Sequence, residues 1–79
     1  MRLDKFLKVS RIVKRRTIAN NICDAGKVTV NGKAAKASQQ IKISDIIEIS
    51  IGSSMNKFKV MKINEHTTKE TASENYIIL

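Results

Sequence analysis

Gly26-Lys27-Val28-Thr29-Val30-Asn31-Gly32 is the stretch in which the pattern of this chain changes period. Before it, apolar residues recur three and four positions apart, the spacing of a helix face. After Gly26 they alternate, so Val28 and Val30 share one side of a strand and Lys27 and Thr29 the other. Asn31-Gly32 then offers the two left-handed positions that a tight hairpin turn demands, and Lys33 to Ala37 is expected to return as the partner strand. Gly26 stands where a helix closes on a left-handed residue. The stretch therefore divides the chain into helices upstream and strands downstream.

Upstream, Leu3, Phe6 and Leu7 define the inner face of a helix over Leu3 to Val9, with Arg2, Lys5 and Lys8 on its other side. Ser10 to Arg16 reads as a basic turn anchored by Ile12 and Val13. A second helix is expected from Thr17 to Ala25, with Thr17 as its N-cap and Ile18, Ile22 and Cys23 facing inward. Downstream, Ser38-Gln39-Gln40 connects to Ile41 and Ile43, Ser44-Asp45 turns the chain, and Ile47 to Ile51 alternates as a strand. Gly52-Ser53-Ser54 breaks that strand. Lys57-Phe58-Lys59-Val60 begins another, expected to run to about Ile63, and its shift of phase after Val60 points to a bulge or an edge strand.

From Glu65 the chain is polar until Tyr76-Ile77-Ile78-Leu79. Thr68 to Glu74 is read as one or two helical turns. Docking of the apolar ending against the sheet and fraying both remain open. The fold class is α+β: two N-terminal helices packed on a small antiparallel or mixed β-sheet. The expected organisation is one domain over residues 1–64 and a tail over 65–79.

Charge is segregated. Ten of fifteen basic residues fall in the first 36 positions against two acids, Asp4 and Asp24, so this segment carries net +8. The other 43 residues balance five lysines with five acids. A patch of one sign attracts polyanions and releases condensed counterions from each phosphate it neutralises, which makes nucleic acid the first partner to consider. A solvated basic face without a specific ligand is the alternative.

Other classes find little support. The lone Cys23 has no disulfide partner and sits among apolar neighbours, as a buried small hydrophobe would. The sole histidine, His66, has no cysteine near it and only Glu65 as a neighbouring carboxylate, so no metal set gathers there. Gly26, Gly32 and Gly52 fit turns and match no phosphate-loop or dinucleotide pattern. No apolar run approaches the roughly 20 residues of a membrane span. Catalysis, a cofactor and a membrane partner are not expected, and the reading is cytoplasmic. Base stacking needs exposed rings, yet of Phe6, Phe58 and Tyr76 the two phenylalanines point inward. Shape and phosphate recognition of structured RNA by Arg and Lys on helices fits better. DNA remains open on charge alone.

Arg2-Leu3-Asp4-Lys5-Phe6-Leu7, Arg16-x-x-Ala19 and Gly26 to Gly32, in that order, resemble the S-four RNA-binding domain, also called the αL motif, over about residues 1–51. With Lys14-Arg15-Arg16-Thr17 and an ending of Tyr76-x-x-Leu79, the whole chain is similar to the stand-alone RqcP family. It also resembles the related fifteen-kilodalton heat-shock protein that binds large ribosomal subunits.

The resemblance implies an RNA face made by the helix pair and its turn. Arg2, Lys5, Arg11, Arg15 and Arg16 match its basic positions, and Lys8, Lys14 and Lys36 extend the set. Lys27 and Lys33 flank the hairpin. Asp4 matches an acid expected to orient an arginine or serve the helix start. Gly26, Asn31 and Gly32 are structural. Where many such domains begin the second helix with a capping box, this chain has Arg15 and, three residues on, Ile18. For RqcP-like proteins the implied role is ribosome-associated quality control: a monomer binding tRNA and large-subunit rRNA, near RqcH, while alanine is added to a stalled chain. Another structured RNA, as for the heat-shock protein, is the alternative.

Overall fold

Two short helices, α1 (Leu3–Val9) and α2 (Arg16–Asp24), pack on one face of a five-stranded sheet in the computed structural model, which describes all 79 residues. The strands are β1 (Val28–Val30), β2 (Lys33–Ala34), β3 (Ile46–Ile51), β4 (Ser54–Val60) and β5 (Tyr76–Ile78). Their order is β2-β1-β3-β4-β5, and every neighbouring pair is antiparallel.

The hairpin at Asn31-Gly32 has φ of +54° and +83° at its two central residues, with Val30 opposite Lys33. Left-handed values at both positions define the turn whose twist matches that of the strands. Asn31 also fixes what lies beside it. Its side-chain oxygen accepts from the Ile46 N–H at 2.9 Å, and its amide donates to Asp45 at 3.0 Å.

Register then sets the core. Val30, Ile47 and Phe58 form one row across the sheet and Val28 and Ile49 another, all buried against Leu3, Phe6, Leu7, Ala19 and Cys23. Complete burial of Leu3, Phe6 and Leu7 contributes about 1.5–3 kcal/mol each. Phe58 and Tyr76 meet edge to face, with ring centres 5.3 Å apart.

Several expectations need correction. Helix α2 begins at Arg16, with Arg15 in extended conformation before it, so Thr17 lies inside the helix and caps nothing. The inner stripe of α2 is Ala19 and Cys23, while Ile18 is exposed, because a helix sets only one side against the sheet and Ile18 lies about 100° round from Ala19. Strand β2 stops at Ala34. Ala35 and Ala37 are buried in irregular chain that continues under α1. Strand β4 starts at Ser54 and ends at Val60, and its pairing with β3 is continuous, without a bulge. It is interior, because Tyr76 to Ile78 pairs along its outer side as β5. Of residues 68–74, only the last three join a 3-10 turn, Ala72–Asn75.

No helix is long and apolar enough to cross a membrane.

Candidate nucleic-acid interface

The N-terminus of α1 is seated by chain that the hairpin delivers. Leu3 donates its N–H to the Gln39 carbonyl at 2.8 Å and Asp4 to that of Ala37 at 3.2 Å. The third free N–H of the first turn, from Lys5, goes to Asp4 Oδ1 at 2.8 Å. Three of the four orphan donors of this helix end are thus satisfied within the protein. The Asp4 side chain, only 2% exposed, becomes a hub. Its Oδ2 accepts from Arg16 Nε at 3.2 Å and from Asn20 Nδ2 at 3.5 Å, while Arg2 Nε lies 3.2 Å from Oδ1.

Burial acts to raise the Asp4 pKa. The Arg16 hydrogen bond, the Lys5 N–H, the Arg16 charge and Asn20 together outweigh it, and the carboxyl is held below its ordinary value of 3.8. One buried anion thus fixes two guanidinium groups whose side chains remain 44% and 49% exposed. Each arginine keeps outward N–H donors suited to a phosphate.

The turn between the helices carries the second feature. Helix α1 closes on Ser10, and Arg11 adopts φ +58°, a left-handed conformation that costs a non-glycine residue about 1–2 kcal/mol. Buried Val13 pins the turn, leaving Lys14, Arg15 and Arg16 exposed. Arg15 provides no side-chain cap, and the N–H groups of Arg16, Thr17 and Ile18 bond to nothing in the protein. The positive end of α2 therefore opens among three basic side chains, an arrangement that favours anions. Absence of a capping box, visible in the sequence, has this physical result.

The remaining candidates fall into separate places. Lys5 pairs with Glu65 at 3.2 Å. Lys8 and Arg11 line a shallow cleft against residues 65–68. Lys33 lines a depression of about 410 Å³ beside the hairpin, with Gln39, Gln40 and Lys42. Lys36 borders another with Cys23, Asp24 and Gly26. Lys27 follows the end of α2, where the N–H groups of Gly26 and Lys27 bond the carbonyls of Cys23 and Ile22. Gly26, at φ +75°, makes that closure possible.

Arg2, Lys14, Arg15 and Arg16 are thus brought together around Asp4 and the turn, whereas Lys27, Lys33 and Lys36 belong to the hairpin side. Sequence reasoning missed Asn20, Gln39, Gln40 and Lys42. Only Asn20 left a signal, four residues after Arg16 on the same helix face.

Burial first, then the charges of Asp4 and Asp24, push the Cys23 thiol up to about 11. No three His, Cys, Asp or Glu residues converge as a metal site would need.

The helix pair is backed by a small antiparallel sheet, and residues 1–47 match the family model of the S4 domain. Over its full length the chain is 47% identical to the RQC P-site tRNA stabilizing factor of Streptococcus pneumoniae, covering 90% of that protein. It is 44% identical to the factor of the same name from Bacillus subtilis, covering 92% of it. The structure of heat shock protein 15 from Vibrio cholerae superposes on all of this chain with a TM-score of 0.91, at 31% identity and over 81% of that protein. The chain belongs to the S4-domain family and, within it, to the RQC P-site tRNA stabilizing factors.

Proposed function

We propose that this protein binds peptidyl-tRNA and adjacent rRNA on large ribosomal subunits left by stalled translation, and holds the tRNA in place while RqcH extends the nascent chain with alanine. The name shared by its relatives supports the tRNA and quality-control part of this reading. The observation that carries the RNA part is the Asp4 hub: two exposed arginines held rigidly beside an uncapped helix end, on a segment of net +8.

The contacts are made by Arg2, Arg16, Lys14 and Arg15, with Lys5, Lys8 and Arg11 along α1. Lys27, Lys33 and Lys36 act as a flank by the hairpin. The role is positional. Fixed donors reduce the ordering cost of binding, and the chain forms and breaks no bond. It works in the cytoplasm as a single copy, without a cofactor.

The test is sedimentation of tagged protein from lysate, with sequencing of the RNA that travels with it. Recovery with large subunits carrying tRNA is expected, and its loss in an Arg2→Ala/Arg16→Ala double variant. With about six phosphates engaged, affinity should fall about a thousandfold between 50 and 200 mM salt. Recovery with small subunits or DNA, or a flat salt response, would overturn the reading.

A further inference from the structure

Residues 65–68 lie beyond the segment that matches the S4 domain, yet they fold back along α1. Lys5 Nζ meets Glu65 Oε1 at 3.2 Å, and the Thr67 hydroxyl donates to the Val9 carbonyl. Ten residues further on, the Asn75 amide donates to the Ser10 hydroxyl at 3.1 Å in a buried contact. These bonds place the loop beside the last turn of α1 and leave between them a cleft of about 330 Å³. Lys8, Arg11, His66 and Thr68 line it, with Glu65 as its one acid.

We propose that this cleft is a phosphate subsite that takes a phosphodiester of the RNA gripped by the helical face; the proposal rests on that reading of the face. Charge supports it. Lys8 and Arg11 have no ion-pair partner, whereas Glu65 is already engaged by Lys5. Donor supply supports it too, because the backbone N–H groups of Asn64, Glu65, His66 and Thr67 donate to no group in the protein. Each of these donors remains available to an acceptor from outside the protein.

Arg11 adds an independent indication. It holds a left-handed conformation in which glycine would be unstrained, so the position keeps a long cationic side chain at a conformational cost. The cleft is open and polar. It has the donors for a phosphate, and no Phe, Tyr or Trp lines it.

Glu65 gives the proposal a sign that can be read. Within the cleft it opposes a phosphate and occupies Lys5, so Glu65→Gln should tighten binding to purified large subunits carrying tRNA about three- to tenfold and steepen the salt slope by about one. Glu74→Gln makes the same change in net charge at an exposed position of the 3-10 turn and should tighten binding less. Lys8→Ala and His66→Ala should each weaken binding several-fold, the former also flattening the slope by about one. All four positions are exposed or half-exposed, so melting temperatures should stay close to that of the parent protein.

Equal effects of Glu65→Gln and Glu74→Gln would reduce the gain to net charge and overturn the subsite. So would unchanged affinity in Lys8→Ala and His66→Ala while Arg16→Ala still weakens binding, in which case the helical face would stand alone. Indifference to Arg16→Ala as well would instead remove the reading of the face.

Discussion

The two faces of the molecule treat charge in opposite ways. On the open side of the sheet, Thr29, Glu48 and Lys57 lie in one cross-strand row, and Lys57 Nζ rests 3.2 Å from Glu48 Oε1. Opposite charges placed directly across strands neutralise each other locally and contribute a few tenths of a kcal/mol. On the helical side, one buried carboxylate serves two arginines, and Lys8, Arg11, Lys14 and Arg15 form no ion pair.

Helix ends divide in the same way. The last four carbonyls of α1, from Phe6, Leu7, Lys8 and Val9, all accept hydrogen bonds, although the turn that follows carries a strained Arg11, whereas the Arg16, Thr17 and Ile18 N–H groups that open α2 donate to nothing in the protein. A fold that completes the end of α1 and pairs its charges on the sheet does neither at the start of α2. The incomplete places cluster on one surface, where an external anion can complete them.

Removing the hub should have the largest effect. Asp4→Asn keeps the shape of the side chain but loses the charge that fixes Arg2 and Arg16, and leaves a buried amide facing two cations. A loss of about 1–3 kcal/mol of stability is expected, because buried charge-assisted bonds are broken. RNA affinity should fall even though the substitution raises net charge by one. If affinity rises instead, charge alone drives binding and the orienting role of Asp4 is wrong.

The same variant has a pH signature. The folded-state pKa of Asp4 is depressed, so its contribution to stability is complete above the unfolded value and is lost as pH falls through the folded one. Urea unfolding at successive pH values from neutral down through the acid range should show a smaller acid loss in Asp4→Asn than in the parent.

A smaller effect is expected at the brace behind the turn. Asn75 and Ser10 are both completely buried, and their hydrogen bond is the only side-chain contact given to the Ser10 hydroxyl. Asn75→Leu should cost about 1–2 kcal/mol by stranding that hydroxyl. Adding Ser10→Ala should restore much of the loss, since replacing both partners by apolar groups can be nearly neutral. Thermal melts of the two single variants and the double variant would measure the coupling. Strict additivity would show that the bond does not tie the tail to α1.

The brace also marks the limit of what could be read from the chain. Leu3 to Val9, the end at Gly26, the Asn31-Gly32 hairpin and the alternation of Ile47 to Ile51 are local patterns, and each formed as the spacing implied. The start of α2 was misplaced because Thr17 looks like a cap, while the chain has no residue that performs that role. Ala19 is buried as its place in the motif implies, but the exposure of Ile18 is decided by which side of α2 meets the sheet, which the apolar spacing of Ile18 and Ile22 does not encode.

Contacts made across long stretches left no trace at all. Ser10 with Asn75 and Lys5 with Glu65 are 65 and 60 residues apart. For the site, the basic residue types were legible from charge segregation. Their grouping into a hub, a turn and a hairpin flank required the fold.

The smallest effect should come from the balanced face, and it completes the contrast. Lys59 lies between Ile46 and Ile77 across the sheet, half-buried along its stem and without an ion-pair partner. It has the same charge as Lys14 and, like it, forms no ion pair, so a binding mode governed by overall charge would treat the two alike. A mode governed by the helical face would not. Lys59→Ala should change stability by no more than about 0.5 kcal/mol and leave RNA affinity within about twofold. Lys14→Ala should reduce affinity and lower the salt slope by about one counterion. Titrations of both variants with large subunits at two ionic strengths would decide between these modes, because equal losses at Lys59 and Lys14 would mean that overall charge, and not the helical face, governs binding.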